Sequence, residues 1–285
     1  MKILVTGATG FIGCHVIDAL LMQNHRVIAT GNHPRGPEWH RLANSIEYVS
    51  CDLNDDVDFF SLFGKPESTV HLAWEGLPNF KSFNHFDKNL VANCRFLNNL
   101  VKSGMKYLTV TGTCLEYGLQ EGELDEEMDT RPTTPYGLAK DTLKKYLNLL
   151  QKEVSFDLNW LRLFYIYGNG QNPNSIIPQL QKAIRNGDDF FDMSHGTQSR
   201  DYLPVEKAAE IIVKIASARI GFGVTNCCSG IPRSVLSLVE EEIKKNGSGI
   251  RLNSGVLPLP DYEPFSFWGS TKKLDTVLDI IKKKG

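Results

Sequence analysis

No apolar run in this chain of 285 residues approaches the length needed to cross a bilayer, and the N-terminus lacks a basic segment followed by a cleavable apolar stretch. Neither a membrane span nor an export signal is expected, so a cytoplasmic protein is. The six cysteines, Cys14, Cys51, Cys94, Cys114, Cys227 and Cys228, contain no CxxC pair and no zinc-type spacing. Buried reduced thiols and no metal follow from that pattern. Charge of one sign is missing too. The formal net charge is -2, and no block of like charges is longer than Lys282-Lys283-Lys284. Nothing electrostatic favours nucleic acid. Internal repeats and low-complexity tracts are also absent.

What is present is a large apolar inventory, 41% hydrophobic against 22% charged, enough for one large domain or a main domain with a smaller lobe. Strand patterns at Ile3–Val5, Val27–Ala29, Ile46–Val49, Thr69–Leu72, Tyr107–Val110 and Leu158–Leu163 alternate with helical patterns at Gly13–Gln23, Asn89–Ser103 and Tyr136–Lys152. That rhythm predicts an α/β fold with a Rossmann-type doubly wound parallel sheet. After Gly168 it breaks into GNGQNPNS and later the turn-rich 246–264 stretch. A dinucleotide-binding domain over 1–168, with a return near 200–228, and a smaller C-terminal substrate-binding lobe over 169–285 are expected.

The densest signal is MKILVTGATGFIG, where a strand runs straight into Gly7, Gly10 and Gly13, each separated by two residues. In a strand–turn–helix, the first glycine permits the turn, the second lets the backbone approach a pyrophosphate, and the third lets helix pack on strand. The diphosphate then meets the unpaired N–H groups of a helix beginning near Phe11. Farther on, TPYGLAKDTLKKYL sets Tyr136 and Lys140 four apart on one helical face. An ammonium beside a phenol lowers the tyrosine pKa and makes it a proton donor or acceptor, although such a pair also occurs as plain surface decoration. TGTCLEYG puts the Thr113 hydroxyl at the carboxyl end of a strand, on the ligand side of the sheet.

Together, TGATGFIG, Tyr136-xxx-Lys140 and TGTCLEYG resemble the extended short-chain dehydrogenase/reductase family of nucleotide-sugar epimerases, dehydratases and reductases. RLFYIYGNGQ and SRDYLPVEKAAEII continue the likeness. The resemblance implies that Thr113 and Tyr136 contact the reacting sugar oxygen and that Lys140 also holds the nicotinamide ribose. It implies further cofactor contacts from Thr9, Phe11, Ile12, Asp52, Leu53, Leu72, Ala73 and Asn89, and substrate contacts from Trp74, Tyr165 and Arg200. Bland alternatives stand beside several of these: Asp52 as a helix cap, His71 packed on its strand, Asn89 on the surface, Arg200 paired with Asp201. The resemblance also implies a homodimer through the helices carrying Phe96, Leu97, Leu100, Leu143, Tyr146, Leu147 and Leu150, faces that could equally pack on the chain's own sheet.

Departures from the family pattern narrow the chemistry. VIATGNHPRG has Gly31 where NAD-preferring members carry an acid, and Asn32 and Arg35 follow, so NADP is expected ahead of NAD; a solvated Arg35 is the alternative. Cys114-Leu115 replaces the Asp-Glu pair of dehydratases, which argues against dehydration. Glu116 stands where a small apolar residue is common, Tyr165 replaces an asparagine of epimerases, and Asp261 and Glu263 are sugar-hydroxyl contacts or turn residues. The expected activity is NADPH-dependent reduction of a 4-keto group on a nucleotide-diphosphate 6-deoxysugar, of the dTDP-sugar type used for surface polysaccharide. A 4-epimerase with tightly bound NAD and an idle NADP-binding regulator are the rivals.

Overall fold

The structure, a computed structural model, describes residues 1–31 and 43–284. Asn32 and Arg35 lie outside the described residues. In chain order, β1 (Lys2–Thr6) turns into α1 (Phe11–Met22), followed by β2 (Arg26–Gly31), β3 (Ile46–Ser50), the one-turn α2 (Phe59–Leu62) and β4 (Ser68–His71). A π-type turn, His85–Leu90, runs into α3 (Val91–Lys102) and β5 (Tyr107–Thr113); then come β6 (Gly122–Leu124), α4 (Pro135–Leu150) and β7 (Asp157–Leu163). β8 (Tyr165–Tyr167), α5 (Ile176–Asn186), β9 (Phe190–Met193), β10 (Ser199–Pro204) and α6 (Val205–Ala218) precede β11 (Gly223–Cys227). The chain closes with β12 (Pro232–Ser234), α7 (Val235–Lys245), β13 (Arg251–Ser254), β14 (Phe267–Gly269) and α8 (Lys272–Lys284).

Seven strands form one sheet in the order β11-β7-β5-β4-β1-β2-β3, every pair parallel. Parallel sheets need helices on both faces, and β1 shows how the sequence supplies them. Ile3 and Val5 face the layer of α1, α6 and α8 with Val16, Ile212 and Leu274, while Leu4 faces the opposite layer with Phe96, Leu97 and Leu143. Each such side chain, fully buried, contributes about 1.5–3 kcal/mol. The strand order reverses between β1 and β4, and the crevice beyond their carboxyl ends is where open α/β sheets take their ligands.

The expected α/β class holds, and all six strand patterns are strands. The expected Asn89–Ser103 helix differs: its first turn is π-type and begins earlier, at His85. Beyond Gly168 the chain builds small sheets, β12-β10-β8, β13-β9 and β14-β6. A separate apolar cluster of Leu180, Phe191, Met193, Val235 and Val239 joins α5, α7 and β9. β11 and α8 rejoin the main sheet and its helical layer. Among the described residues no disulfide joins the six cysteines, four of which are buried. Among the described residues no helix is long and apolar enough to cross a membrane.

Candidate active site

The turn after β1 is shaped so that only glycine fits. Gly7 has φ +64°, and a Cβ there would lie 2.7 Å from the Ala73 backbone nitrogen, beyond the end of β4. A Cβ at Gly13 would lie 2.3 Å from the Gly7 carbonyl oxygen, so α1 is pressed against its own turn. Gly10 is the N-cap of α1 and no side chain caps that end, leaving first-turn N–H groups for an anion. These features fit a dinucleotide pyrophosphate. At the end of β2, a Cβ on Gly31 would face the Tyr48 hydroxyl at 3.3 Å and Thr9 Oγ1 at 3.5 Å. Position 31 itself carries no acid. Phe11 packs edge-on against His15, whose Nε2 bonds the Asn169 carbonyl at 2.9 Å, tying the cradle to the loop after β8.

α4 is started by Thr134, whose side chain accepts the Gly137 N–H at 3.1 Å, with Pro135 in its first turn. That cap fixes Tyr136 in the first turn and Lys140 one turn on. Gly137 lets the helix approach the turn after β5 closely, since a Cβ there would sit 2.6 Å from the Leu115 carbonyl oxygen. Thr113, Tyr136 and Lys140 are all buried as a result. Tyr136 lies among Trp74 (ring centroids 5.9 Å), Phe80 (5.5 Å) and His85 (5.2 Å). Lys140 Nζ donates to the Thr111 carbonyl at 2.8 Å and sits 4.0 Å from the centre of the Trp74 ring. Trp74 follows Ala73 directly, so the threonine, tyrosine and lysine gather beside the glycine turn.

One electrostatic expectation is corrected. Lys140 does not lower the Tyr136 phenol: burial and the negative charge of Glu116 push it above its ordinary value, against a hydrogen bond with Thr113 that pulls it down. The amine is spent on Thr111 and Trp74 instead. Burial lowers Lys140 to about 7, with Glu116 opposing. Tyr136 is therefore held protonated at neutral pH, the form a proton donor needs.

Glu116, an oddity in the sequence, anchors this region. It is wholly buried, and its Oε1 accepts the Thr113 N–H at 2.9 Å and the Trp160 Nε1–H at 2.9 Å. Its Oε2 accepts Arg162 Nε at 2.9 Å. Arg162 lies over the Tyr117 ring at 4.3 Å, and the Tyr117 hydroxyl donates to Asn226 at 2.8 Å.

Other expected residues are placed as follows. Asn89 is buried and bonds both backbone groups of Glu75, so it shapes the loop after β4 and the surface alternative is excluded. His71 bonds Thr6 at 2.8 Å and Asn93, and burial lowers it to about 3, the packed role. Asp52 accepts from Asn54 at 2.9 Å in a local turn, while the cap of α2 is Asp58; Leu53 packs on the nearby core. Leu72 donates its N–H to Thr6. Arg200 is not paired with Asp201. Its Nε and Nη2 bond Glu263 at 3.1 and 2.8 Å, and Nη1 donates to the Ser199 and Phe265 carbonyls. Asp201 instead accepts backbone N–H groups of Ser229, Gly230 and Gly269. Tyr165 stacks edge-on with Phe267, and its phenol is pushed far up by burial and by Glu263.

Sequence reasoning missed His85, Phe80 and Tyr262. His85 is buried, accepts from Trp74 Nε1 at 3.1 Å, and bonds the Asn79 carbonyl at 2.8 Å. Phe80 bridges Tyr136 and Tyr262, whose rings lie 5.5 and 5.6 Å away, while Lys81 and Asp261 pair at 2.7 Å beside it. Only the aromatic residues clustered between β4 and α3 hinted at the first two, His85 and Phe80.

A glycine cradle at the switch point of a parallel sheet, with a buried tyrosine, lysine and threonine beside it, defines a dinucleotide-dependent α/β enzyme. The chain belongs to the NAD dependent epimerase/dehydratase family, which it matches over residues 3–226. It is similar to a dTDP-6-deoxy-L-talose 4-dehydrogenase (NAD(+)) of Aggregatibacter actinomycetemcomitans, 29% identical over 272 residues, covering 95% of this chain and 100% of that one. A UDP-glucose 4-epimerase of Mycolicibacterium smegmatis is 27% identical over 252 residues, covering 84% and 80%. Among solved structures, a UDP-N-acetylglucosamine 4-epimerase from Methanobrevibacter ruminantium M1 shares the fold with a TM-score of 0.85 at 24% identity, over 97% of this chain and 91% of that chain. MoeE5, in complex with UDP-glucuronic acid and NAD, gives 0.82 at 25% identity, over 98% and 93%.

Proposed function

We propose that this enzyme reduces a 4-keto group on a nucleotide-diphosphate 6-deoxysugar, of the dTDP-sugar type that feeds surface polysaccharide. The observation that carries the reading is the convergence of buried Tyr136 and Lys140 on Trp74, with Thr113 hydrogen-bonded to Tyr136, next to the glycine cradle. The relative named as a 4-dehydrogenase of a dTDP-6-deoxy sugar supports it, because dehydrogenation and keto reduction are one step in opposite directions. Cys114-Leu115 after Thr113 offers no acid and base for dehydration.

When bound, a reduced nicotinamide supplies hydride to the carbonyl carbon. Tyr136 gives its phenolic proton to the carbonyl oxygen, and Thr113 holds that oxygen in line. The charged amine of Lys140 stabilises the negative charge developing there. C6 is two bonds from C4, so its substituent would lie near Tyr136, whose ring neighbours are Trp74, Phe80 and His85, with both His85 nitrogens already engaged by Trp74 and Asn79. Both acids of the facing loop are engaged, Asp261 by Lys81 and Glu263 by Arg200. A methyl suits that wall better than a hydroxyl. Arg200 would reach a substrate diphosphate only by giving up Glu263.

Gly31 carries no carboxylate to repel a 2′-phosphate, which supports NADP; NAD is the second reading, favoured by the names of the dehydrogenase relative and the MoeE5 complex. Phe96, Leu97, Leu100, Leu143, Leu147 and Leu150, expected at a dimer face, pack instead in the chain's own core, and two copies associating through α3 and α4 would use the exposed Val91, Leu138 and Leu149. The test supplies a nucleotide 4-keto-6-deoxyhexose with NADPH or NADH and follows reduced-nicotinamide absorbance. Stoichiometric loss supports reduction, and the ratio of kcat/KM for the two cofactors decides between them. Given a nucleotide sugar with a C4 hydroxyl instead, inversion at C4 with no net cofactor change would establish the epimerase.

A further inference from the structure

Lys140 is a buried cation without a carboxylate partner among the described residues. Its amine donates to one backbone carbonyl, that of Thr111, and its remaining close neighbour is the face of Trp74, 4.0 Å away. Charged and titratable groups reach it from every side. Glu116 comes from the turn after β5, His71 from β4, and Tyr136 from one turn earlier on α4. None of the three pairs with the amine.

The indole is itself fixed. Its Nε1–H donates to His85 Nδ1 at 3.1 Å, and His85 Nε2 bonds the Asn79 carbonyl at 2.8 Å, which assigns the neutral Nε2–H tautomer from the partners. Asn89 Nδ2 approaches the same Nδ1 at 3.3 Å. The two rings lie nearly parallel, 24° apart. The edge-to-face Tyr136 ring touches the same indole. An apolar residue at position 74 would fill space, but it would offer no negative face to an ammonium that has left water.

We propose that Trp74 is a positioning residue: its indole face, clamped by His85, holds the Lys140 ammonium as a cation beside Tyr136. The inference rests on the reductase reading for its catalytic consequence, but not for its test.

The experiment titrates Lys140 in cofactor-free protein by the ¹³Cε shift of labelled lysine, with Lys140→Met to assign the signal. Trp74→Leu removes the aromatic face and should lower the Lys140 midpoint by about one pH unit, while Trp74→Phe should keep it within about 0.3 unit. Global replacement of tryptophan by 5-fluorotryptophan weakens the ring face without changing the fold, and should lower the midpoint in the wild type but not in Trp74→Phe. That arm decides the matter if Trp74→Leu does not fold. An unchanged midpoint in the fluorinated wild type, or equal shifts in Trp74→Phe and Trp74→Leu, overturns the proposal. Because no substrate turns over in this titration, its failure leaves the reductase reading intact. Absence of any redox turnover in the wild type would fail that reading and leave the titration result standing.

Discussion

Removing the Glu116 carboxylate should be among the most damaging single changes outside the reacting groups. Glu116→Gln keeps the shape and one oxygen, but it sets an amide N–H₂ against either Arg162 Nε or the Trp160 N–H, both donors at about 2.9 Å from the present carboxylate. Arg162 would then be a cation only 2% exposed, already with one buried nitrogen, Nη1, lacking a hydrogen-bond partner. Breaking a buried pair on one side costs about 3–5 kcal/mol. At about 2–4 °C per kcal/mol for a domain of roughly this size, the melting temperature should fall by about 6–20 °C. Chemical denaturation of Glu116→Gln, Arg162→Met and the double variant gives the pair coupling directly. The double variant should recover at least 2 kcal/mol, roughly, of the summed single losses, since with both charges removed neither is left stranded. Glu116→Gln losing less than about 1 kcal/mol would refute the claim that this carboxylate holds the floor of the site.

Three further outcomes are expected. Tyr136→Phe should lower turnover by about 10²–10⁴-fold, the span of general acid catalysis, while cofactor affinity measured by fluorescence titration changes less than about threefold. Gly13→Ala places a methyl against the Gly7 carbonyl, and strain of about 1–3 kcal/mol should weaken cofactor binding by about 5- to 150-fold in the same titration. Because burial lowers Lys140 to about 7, reduction should slow as pH rises through about 7, the amine losing the charge that stabilises the developing oxyanion. The stability effect has the opposite slope. Between about 7 and the ordinary lysine range the unfolded chain holds one more proton than the folded one, so stability rises with pH there, and Lys140→Met should flatten that slope in denaturation curves at several pH values.

Much of this was legible in the chain because periodicity and punctuation act locally. Gly7, Gly10 and Gly13 after a three-residue apolar strand fix the cradle by backbone sterics alone. Spacing of four put Tyr136 and Lys140 on one face, and the structure keeps them there. What spacing could not give was direction. The expectation that Lys140 acts on the Tyr136 phenol failed because a long side chain turned to the Thr111 carbonyl and Trp74, partners far away along the chain. Arg200 shows the same limit, since its partner Glu263 lies in a loop with no periodic pattern. His85 escaped notice because a π-type turn has no apolar repeat of its own, and its position follows from contacts with Trp74 and Asn79.

The most direct test of the proposed reduction carries deuterium on the transferring position of the reduced nicotinamide and examines the product sugar by NMR. The account predicts deuterium at C4, one equivalent of cofactor consumed per product, and no label in Tyr136→Phe on the same time scale. Product carrying protium at C4, or formed with the cofactor unconsumed, would contradict it.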